Sequence, residues 1–123
     1  MAEKQTKQVI YTWLQFDNDI REIIRRLKES ERKFDGVWGP IRGGLIPAVV
    51  LSHALNLPFL IKPTADSLVV DDIADTGKTL FFFRQNFIVT LFYHKQSTVL
   101  PDIWVKEKTD QWIVFPWEIE GGA

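Results

Sequence analysis

The chain has no cysteine among its 123 residues, which excludes disulfides, thiolate metal sites and cysteine nucleophiles together. Histidine is scarce as well, and His53 and His94 alone are too few for a histidine-based metal cluster. Charge of one sign is lacking: 15 Lys and Arg stand against 16 Asp and Glu, a formal net charge of −1. That balance leaves no electrostatic footprint for nucleic acid or an anionic membrane, so an anionic ligand has to be held by a local site. No apolar run reaches membrane-spanning length, and the opening MAEKQTKQ lacks the apolar stretch of a signal peptide. A cytoplasmic protein is expected by default.

Hydrophobic residues make up 46% and charged residues 25%, the composition of a globular chain with a real core. The length fits one domain, residues 1–123, with no repeat, low-complexity tract or linker. Residues 9–12 read as a short strand. Asp17 to Asp19 offers N-cap chemistry, and Ile20, Ile23, Ile24 and Leu27 follow at helical spacing, with Arg21, Arg25, Lys28 and Glu29 on the solvated face. Val37-Trp38 is a short apolar piece closed by Gly39-Pro40, and residues 45–55 predict a second helix ending near Asn56. Strands are expected at 59–61, 67–70, 87–93, 103–105 and 112–115, with a helix over 79–86 and a frayed tail at 121–123. Strands alternating with helices define an α/β fold with a mostly parallel central sheet flanked by helices, whose ligands sit beyond the carboxyl ends of the strands.

The chemistry concentrates in SLVVDDIADTGKTL, residues 67–80. An apolar strand runs into Asp71 and Asp72, and Asp75-Thr76-Gly77-Lys78-Thr79 follows at a helix start. Gly77 lets the backbone approach an anion, free N–H groups point at it, and the Thr76 and Thr79 hydroxyls can donate to phosphate oxygens. Two carboxylates would repel that phosphate, so they have to face something neutral or cationic, such as ribose hydroxyls or a Mg²⁺ ion. A P-loop is excluded, because the glycine required five residues before Gly77 is Asp72.

VVDDIADTGKT resembles the signature with which type I phosphoribosyltransferases bind 5-phosphoribosyl pyrophosphate (PRPP). Upstream, GPIRGGLIP at residues 39–47 resembles that family's pyrophosphate loop. Downstream, VTLFYHK and WIVFPWE resemble the purine end of its xanthine-guanine members, so the likeness spans most of residues 11–118. It implies transfer of the phosphoribosyl group from PRPP to a 6-oxopurine, with pyrophosphate leaving. By the same resemblance, Asp71 and Asp72 bind the ribose 2′- and 3′-hydroxyls, with Mg²⁺ at Asp72 bridging to pyrophosphate. Asp75 is the general base for the purine N7 proton. Thr76, Gly77, Lys78 and Thr79 hold the 5′-phosphate, and Arg42 and Gly43 take the pyrophosphate. Lys95 reaches the 6-oxo oxygen, Trp112 stacks on the ring, and the Ile113 carbonyl reads its edge.

Each role has a plainer competitor. Arg42 is also a turn-flanking surface arginine, Trp112 a core or interface residue, and Lys95 the polar end of a strand. Trp104 and Trp117 read as packing residues, and His53 as structural or exposed. Phe81, Phe82 and Phe83 would fan over about 200° of a helix, more than one core face can bury, so a homodimer or higher homo-oligomer is expected. The resemblance breaks at residues 62–66, KPTAD, where the family carries a long mobile lid, and at Ile41, where a small polar residue is usual. Five residues turn the chain without forming a lid, so water competes for the activated ribose. A non-catalytic PRPP- or nucleotide-binding regulatory module is therefore the alternative to an enzyme. Single-stranded RNA binding has its aromatics but no basic groove.

Overall fold

Thr12-Trp13-Leu14-Gln15 decides where the first helix begins. In a computed structural model, which describes residues 7–118, helix α1 spans Trp13–Ser30 and is capped by Thr12. The Thr12 hydroxyl accepts the Gln15 N–H at 3.1 Å, and the Gln15 side chain accepts the Thr12 N–H at 2.8 Å. This reciprocal capping box satisfies two orphan donors at once, and it outcompetes the caps expected at Asp17–Asp19. Asp19 instead lies inside the helix, buried, where it accepts a 2.5 Å bond from the Tyr11 hydroxyl and pairs with Lys106 at 3.2 Å. Phe16, Ile20, Ile23 and Leu27 form the buried stripe, and the helix stops at Glu31 in a left-handed C-cap.

Strands β2 (Val37–Trp38), β3 (Leu68–Ala74), β4 (Phe87–His94) and β5 (Lys106–Lys108) form one parallel sheet in the order β2-β3-β4-β5. Helix α2 (Leu45–Leu55) bridges β2 and β3 and ends at Asn56, which takes the left-handed cap. Leu68 and Val70 of β3 join Val89 and Leu91 of β4, Ala48 and Leu51 of α2, and the α1 stripe in the main core. Val69, Ile88 and Leu80 pack in a smaller cluster with Ala74 and Val99. β1 (Gln8–Ile10) and β6 (Trp112–Val114) pair in a separate parallel ribbon. Tyr11, Phe92 and Phe115, with ring centroids 5.0–5.7 Å apart, fasten that ribbon to β4. Trp104 packs on Tyr93, and Trp117 on Trp13, Phe16 and Phe115.

Three local expectations are corrected. Residues 59–61 make a single bridge, Phe59 to Val37, because Pro58 and the exposed Ile61 leave no second pairing. Ile103 likewise only bridges Val89, and the paired segment beside β4 is the more polar Lys106–Lys108. The helix expected over 79–86 shrinks to a 3₁₀ turn, Leu80–Phe83, since few residues separate the loop after β3 from the start of β4. Residues 121–123 fall outside the described part of the chain. No helix among the described residues is long and apolar enough to cross a membrane.

Candidate active site

Glycines let a loop lie against the carboxyl end of β3. A Cβ on Gly39 or Gly44 would come within 2.7 Å or 2.4 Å of the Val70 carbonyl oxygen, so neither position accepts a larger residue without moving the loop. A Cβ on Gly43 would meet the Asp72 carboxylate at 2.4 Å. The Ile41–Arg42 peptide in this loop is cis, and the Arg42 side chain is exposed. Asp72 and the loop of Arg42 and Gly43 thus share one small space, although 28 residues of sequence lie between Gly43 and Asp72.

Asp71 and Asp72 are the unusual pair. Burial pushes the Asp71 carboxyl well above its ordinary range, and the neighbouring Asp72 charge adds to this; burial raises Asp72 as well. Asp71 Oδ1 accepts the Asp72 backbone N–H at 2.8 Å, and among the described residues neither carboxylate has an ion-pair partner. No group of three metal-ligating side chains exists among those residues. Two under-neutralised carboxylates do fit Mg²⁺, which keeps several waters and takes one or two carboxylates together with substrate phosphates.

After β3 the chain turns through Gly77, whose φ of +86° lies in the left-handed region that glycine tolerates. A Cβ there would strike the Thr98 hydroxyl at 2.5 Å and the Ser97 hydroxyl at 2.8 Å. The loop after β4 supports this turn: the Thr98 N–H donates to the Thr76 carbonyl at 3.0 Å. Thr76, Lys78 and Thr79 are exposed, and the Lys78 N–H reaches the Thr76 hydroxyl at 3.3 Å. With only a 3₁₀ turn behind it, an anion here would be gripped by loop N–H groups rather than by a long helix dipole.

Asp75 follows β3 directly. The register that pairs Ala74 with Tyr93 carries Asp75 to His94, and His94 is itself the partner of Lys108 on β5. The three side chains therefore form a row across three strands. His94 Nδ1 lies 2.9 Å from Asp75 Oδ1, Gln96 Nε2 donates to the same oxygen at 3.0 Å, and Lys108 Nζ is 3.4 Å from both carboxylate oxygens. Burial alone would raise the Asp75 carboxyl, but the His94 and Gln96 hydrogen bonds and the Lys108 ammonium outweigh it and hold it below its ordinary value.

The structure thus brings together Asp71, Asp72 and Gly43, and builds a second group around Asp75 beside the turn of Thr76 to Thr79. Lys95 alternates to the other side of the strand end from His94, is 79% exposed and pairs with Glu107 at 3.5 Å. Trp112 is exposed on β6, while Ile113 is buried. The Trp112 N–H bonds the Lys7 carbonyl and the Tyr11 N–H bonds the Val114 carbonyl, which leaves the Ile113 carbonyl on the open edge of β6. His94, Gln96 and Lys108 are additional polar residues at this site. The connector at 62–66 is a closed turn: Thr64 and Ser67 bond each other, and the Asn86 side chain donates to the Thr64 and Ser67 carbonyls at 2.8 and 3.0 Å.

The glycine loop, the acidic pair and the Thr-Gly-Lys-Thr turn all lie at the carboxyl end of a parallel sheet, the place where open α/β sheets bind their ligands. No family model matches the chain. It is 32% identical to a purine phosphoribosyltransferase from Pyrococcus horikoshii, whose crystal structure superposes with a TM-score of 0.81 over 96% of this chain and 98% of that one. It is 27% identical to the xanthine-guanine phosphoribosyltransferase of Idiomarina loihiensis, over 97% of this chain and 92% of that protein. That alignment runs over 149 positions against 123 residues here, so the relative carries segments this chain lacks. The xanthine-guanine-hypoxanthine phosphoribosyltransferase of Helicobacter pylori shares the fold, with a TM-score of 0.78 at 19% identity over 92% of this chain and 95% of that one. The chain belongs to the type I phosphoribosyltransferase family, and it resembles the xanthine-guanine members.

Proposed function

We propose that the protein is a purine phosphoribosyltransferase, transferring the 5-phosphoribosyl group of PRPP to a 6-oxopurine with release of pyrophosphate. The observation that carries this reading is the pair of buried Asp71 and half-buried Asp72, unpartnered by any described cation, with Asp72 set against the Gly43 backbone. Such a pair suits ribose hydroxyls and a metal-bound diphosphate better than any packing role. Asp71 and Asp72 bind the ribose 2′- and 3′-hydroxyls, and Arg42 and the Gly43 N–H take the pyrophosphate. Thr76, Gly77, Lys78 and Thr79 cradle the 5′-phosphate. Asp72 would hold Mg²⁺, which when bound neutralises charge growing on the departing pyrophosphate.

The purine lies on the far side of the ribose, towards Asp75, the exposed Trp112 face and the free Ile113 carbonyl. Asp75 governs the proton that the purine N7 gives up. Lys95 reaches the 6-oxo oxygen, as the resemblance implies, and Lys108, 14% exposed and 3.4 Å from Asp75, adds a second cation near that residue. No covalent intermediate on the protein is needed: the C1′–O bond to pyrophosphate breaks as the C1′–N bond forms.

The glycine loop offers a direct test. In G43A the added methyl falls on the Asp72 carboxylate, so PRPP should bind at least tenfold more weakly in calorimetric titration with Mg²⁺. Circular dichroism should stay that of the parent. Unchanged PRPP affinity in G43A would place the pyrophosphate elsewhere.

The closed turn at 62–66 favours a second reading, a PRPP- or nucleotide-binding regulatory module, since no lid arises there to exclude water. Saturable PRPP binding without nucleotide product would support it. We also propose a homo-oligomer. Phe82 is 80% exposed and Phe81 44% on the turn behind the site, more apolar surface than one short turn leaves to water without a partner. F82D should lower the sedimentation mass to that of a monomer while leaving the melting temperature within a few degrees; an unchanged mass would place the interface elsewhere.

A further inference from the structure

Strand β4 carries one residue that its surroundings do not explain. Residues 88–92 are buried in succession, and Ile88, Val89, Leu91 and Phe92 among them are apolar. The remaining one, Thr90, is 0% exposed. Its backbone N–H is satisfied by the Ile103 carbonyl at 3.0 Å. Its hydroxyl is the only buried side-chain polar atom without a hydrogen-bond partner among the described residues. Burying a hydroxyl unpaired costs stability, and valine would fill the same branched shape without that cost. A threonine at this position therefore points to a use for its oxygen.

The strand register supplies the neighbour. Asp71 of β3 pairs with Thr90 of β4 in the parallel ladder. Both side chains therefore leave the same face of the sheet, on strands about 4.8 Å apart. The paired positions before and after them on that face are apolar, Val69 with Ile88 and Ile73 with Phe92. Asp71 is thus the one hydrogen-bonding side chain that the β3–β4 ladder sets beside Thr90. Asp71 is itself buried, its Oδ1 accepts the Asp72 N–H at 2.8 Å, and its second oxygen receives no hydrogen bond from a described residue. An orphan donor and a carboxylate with an open oxygen stand side by side.

Resting on the proposed phosphoribosyl transfer, we infer that Thr90 is a positioning residue for Asp71, its hydroxyl donating to the Asp71 carboxylate in the PRPP complex. The change required is rotation about side-chain bonds, while both strands keep their ladder hydrogen bonds. With Oδ1 held by the Asp72 N–H, a second donor fixes the plane of the carboxylate. A carboxylate already held in place accepts a ribose hydroxyl without first losing its own freedom. The acceptor is charged and the setting is dry, the conditions under which a hydrogen bond is strongest. No covalent step passes through Thr90, which acts only through Asp71.

Two substitutions separate this from a packing role. T90V removes the hydroxyl and keeps the branched shape, whereas T90S keeps the hydroxyl and loses a methyl group. In calorimetry of the whole chain with Mg²⁺, T90V should bind PRPP about tenfold or more weakly, the loss expected for one hydrogen bond to a charged group. T90S should stay within about threefold of the parent, because the donor is kept. Pyrophosphate has no ribose, so its affinity for T90V with Mg²⁺ should also change less than about threefold. The melting temperature of T90V without ligand should match or exceed the parent's. Parent-like PRPP affinity in T90V, or an equal loss in T90S, would overturn the role of Thr90 while leaving phosphoribosyl transfer standing. An equal loss for pyrophosphate, or a lowered melting temperature in T90V, would overturn it in favour of packing. No PRPP binding by the parent protein would overturn both.

Discussion

Replacing Asp71 and Asp72 together with asparagine is expected to abolish Mg²⁺-dependent PRPP binding and to raise the melting temperature of the ligand-free protein. The two effects share one cause. Burial holds both carboxyls above their ordinary range, with the Asp72 charge adding to the rise at Asp71 and the Glu118 charge at Asp72, so the folded protein binds their protons more tightly than the unfolded chain does. Stability carried by such groups is present below about pH 4, the unfolded value, and is lost as pH rises through the raised folded values. At neutral pH the pair is therefore a liability that only a bound cation and ribose can offset. Asparagine keeps the shape and removes the charge, and hydrogen bonds to charged groups contribute about 1.5–3 kcal/mol each. Losing two of them weakens PRPP binding by roughly 10²-fold or more. Calorimetry with and without Mg²⁺, beside a thermal melt of the free protein, reads both halves. Retained binding would mean that the ligand sits elsewhere; a lowered melting temperature would mean that the pair supports the fold instead.

The second large effect is expected from Asp75→Asn. PRPP should bind as before, because Asp75 belongs to the row with His94 and Lys108 and not to the pair at Gly43. Turnover should fall by about 10²–10⁴, the usual contribution of positioned acid–base groups. An amide in place of the carboxylate cannot accept the proton that the purine nitrogen gives up. Initial rates at saturating PRPP, with binding measured on the same preparation, distinguish this from a damaged site. An unchanged rate would remove Asp75 from the chemistry.

Much of this site was legible before any coordinates. The acidic pair, the glycine loop and the Thr-Gly-Lys-Thr turn are each local patterns whose chemistry follows from residue type and spacing. Helix α2 was equally plain, since Asn56 and Pro58 close an apolar run. What sequence could not supply was register. Placing the strand after β4 at 103–105 instead of 106–108 hid Lys108, whose approach to Asp75 depends on pairing with His94 across the sheet. Pairing of that kind is decided by packing between distant segments, and a shift of one residue sends every side chain to the opposite face. His94 and Lys95 both end a strand in sequence, and the pairing with Lys108 is what turns His94 towards Asp75. The helix starts before Asp17–Asp19 because the reciprocal Thr12–Gln15 cap satisfies its first N–H groups.

The central claim is transfer of a phosphoribosyl group, and product analysis tests it most directly. The protein is incubated with PRPP and Mg²⁺ and, separately, guanine, xanthine or hypoxanthine, and nucleoside monophosphate and pyrophosphate are quantified together. We expect the two products in equal amounts with at least one base, and neither when Asp71 and Asp72 are both asparagine. Saturable PRPP binding with no nucleotide from any of the three bases would contradict the account and leave a binding module in its place.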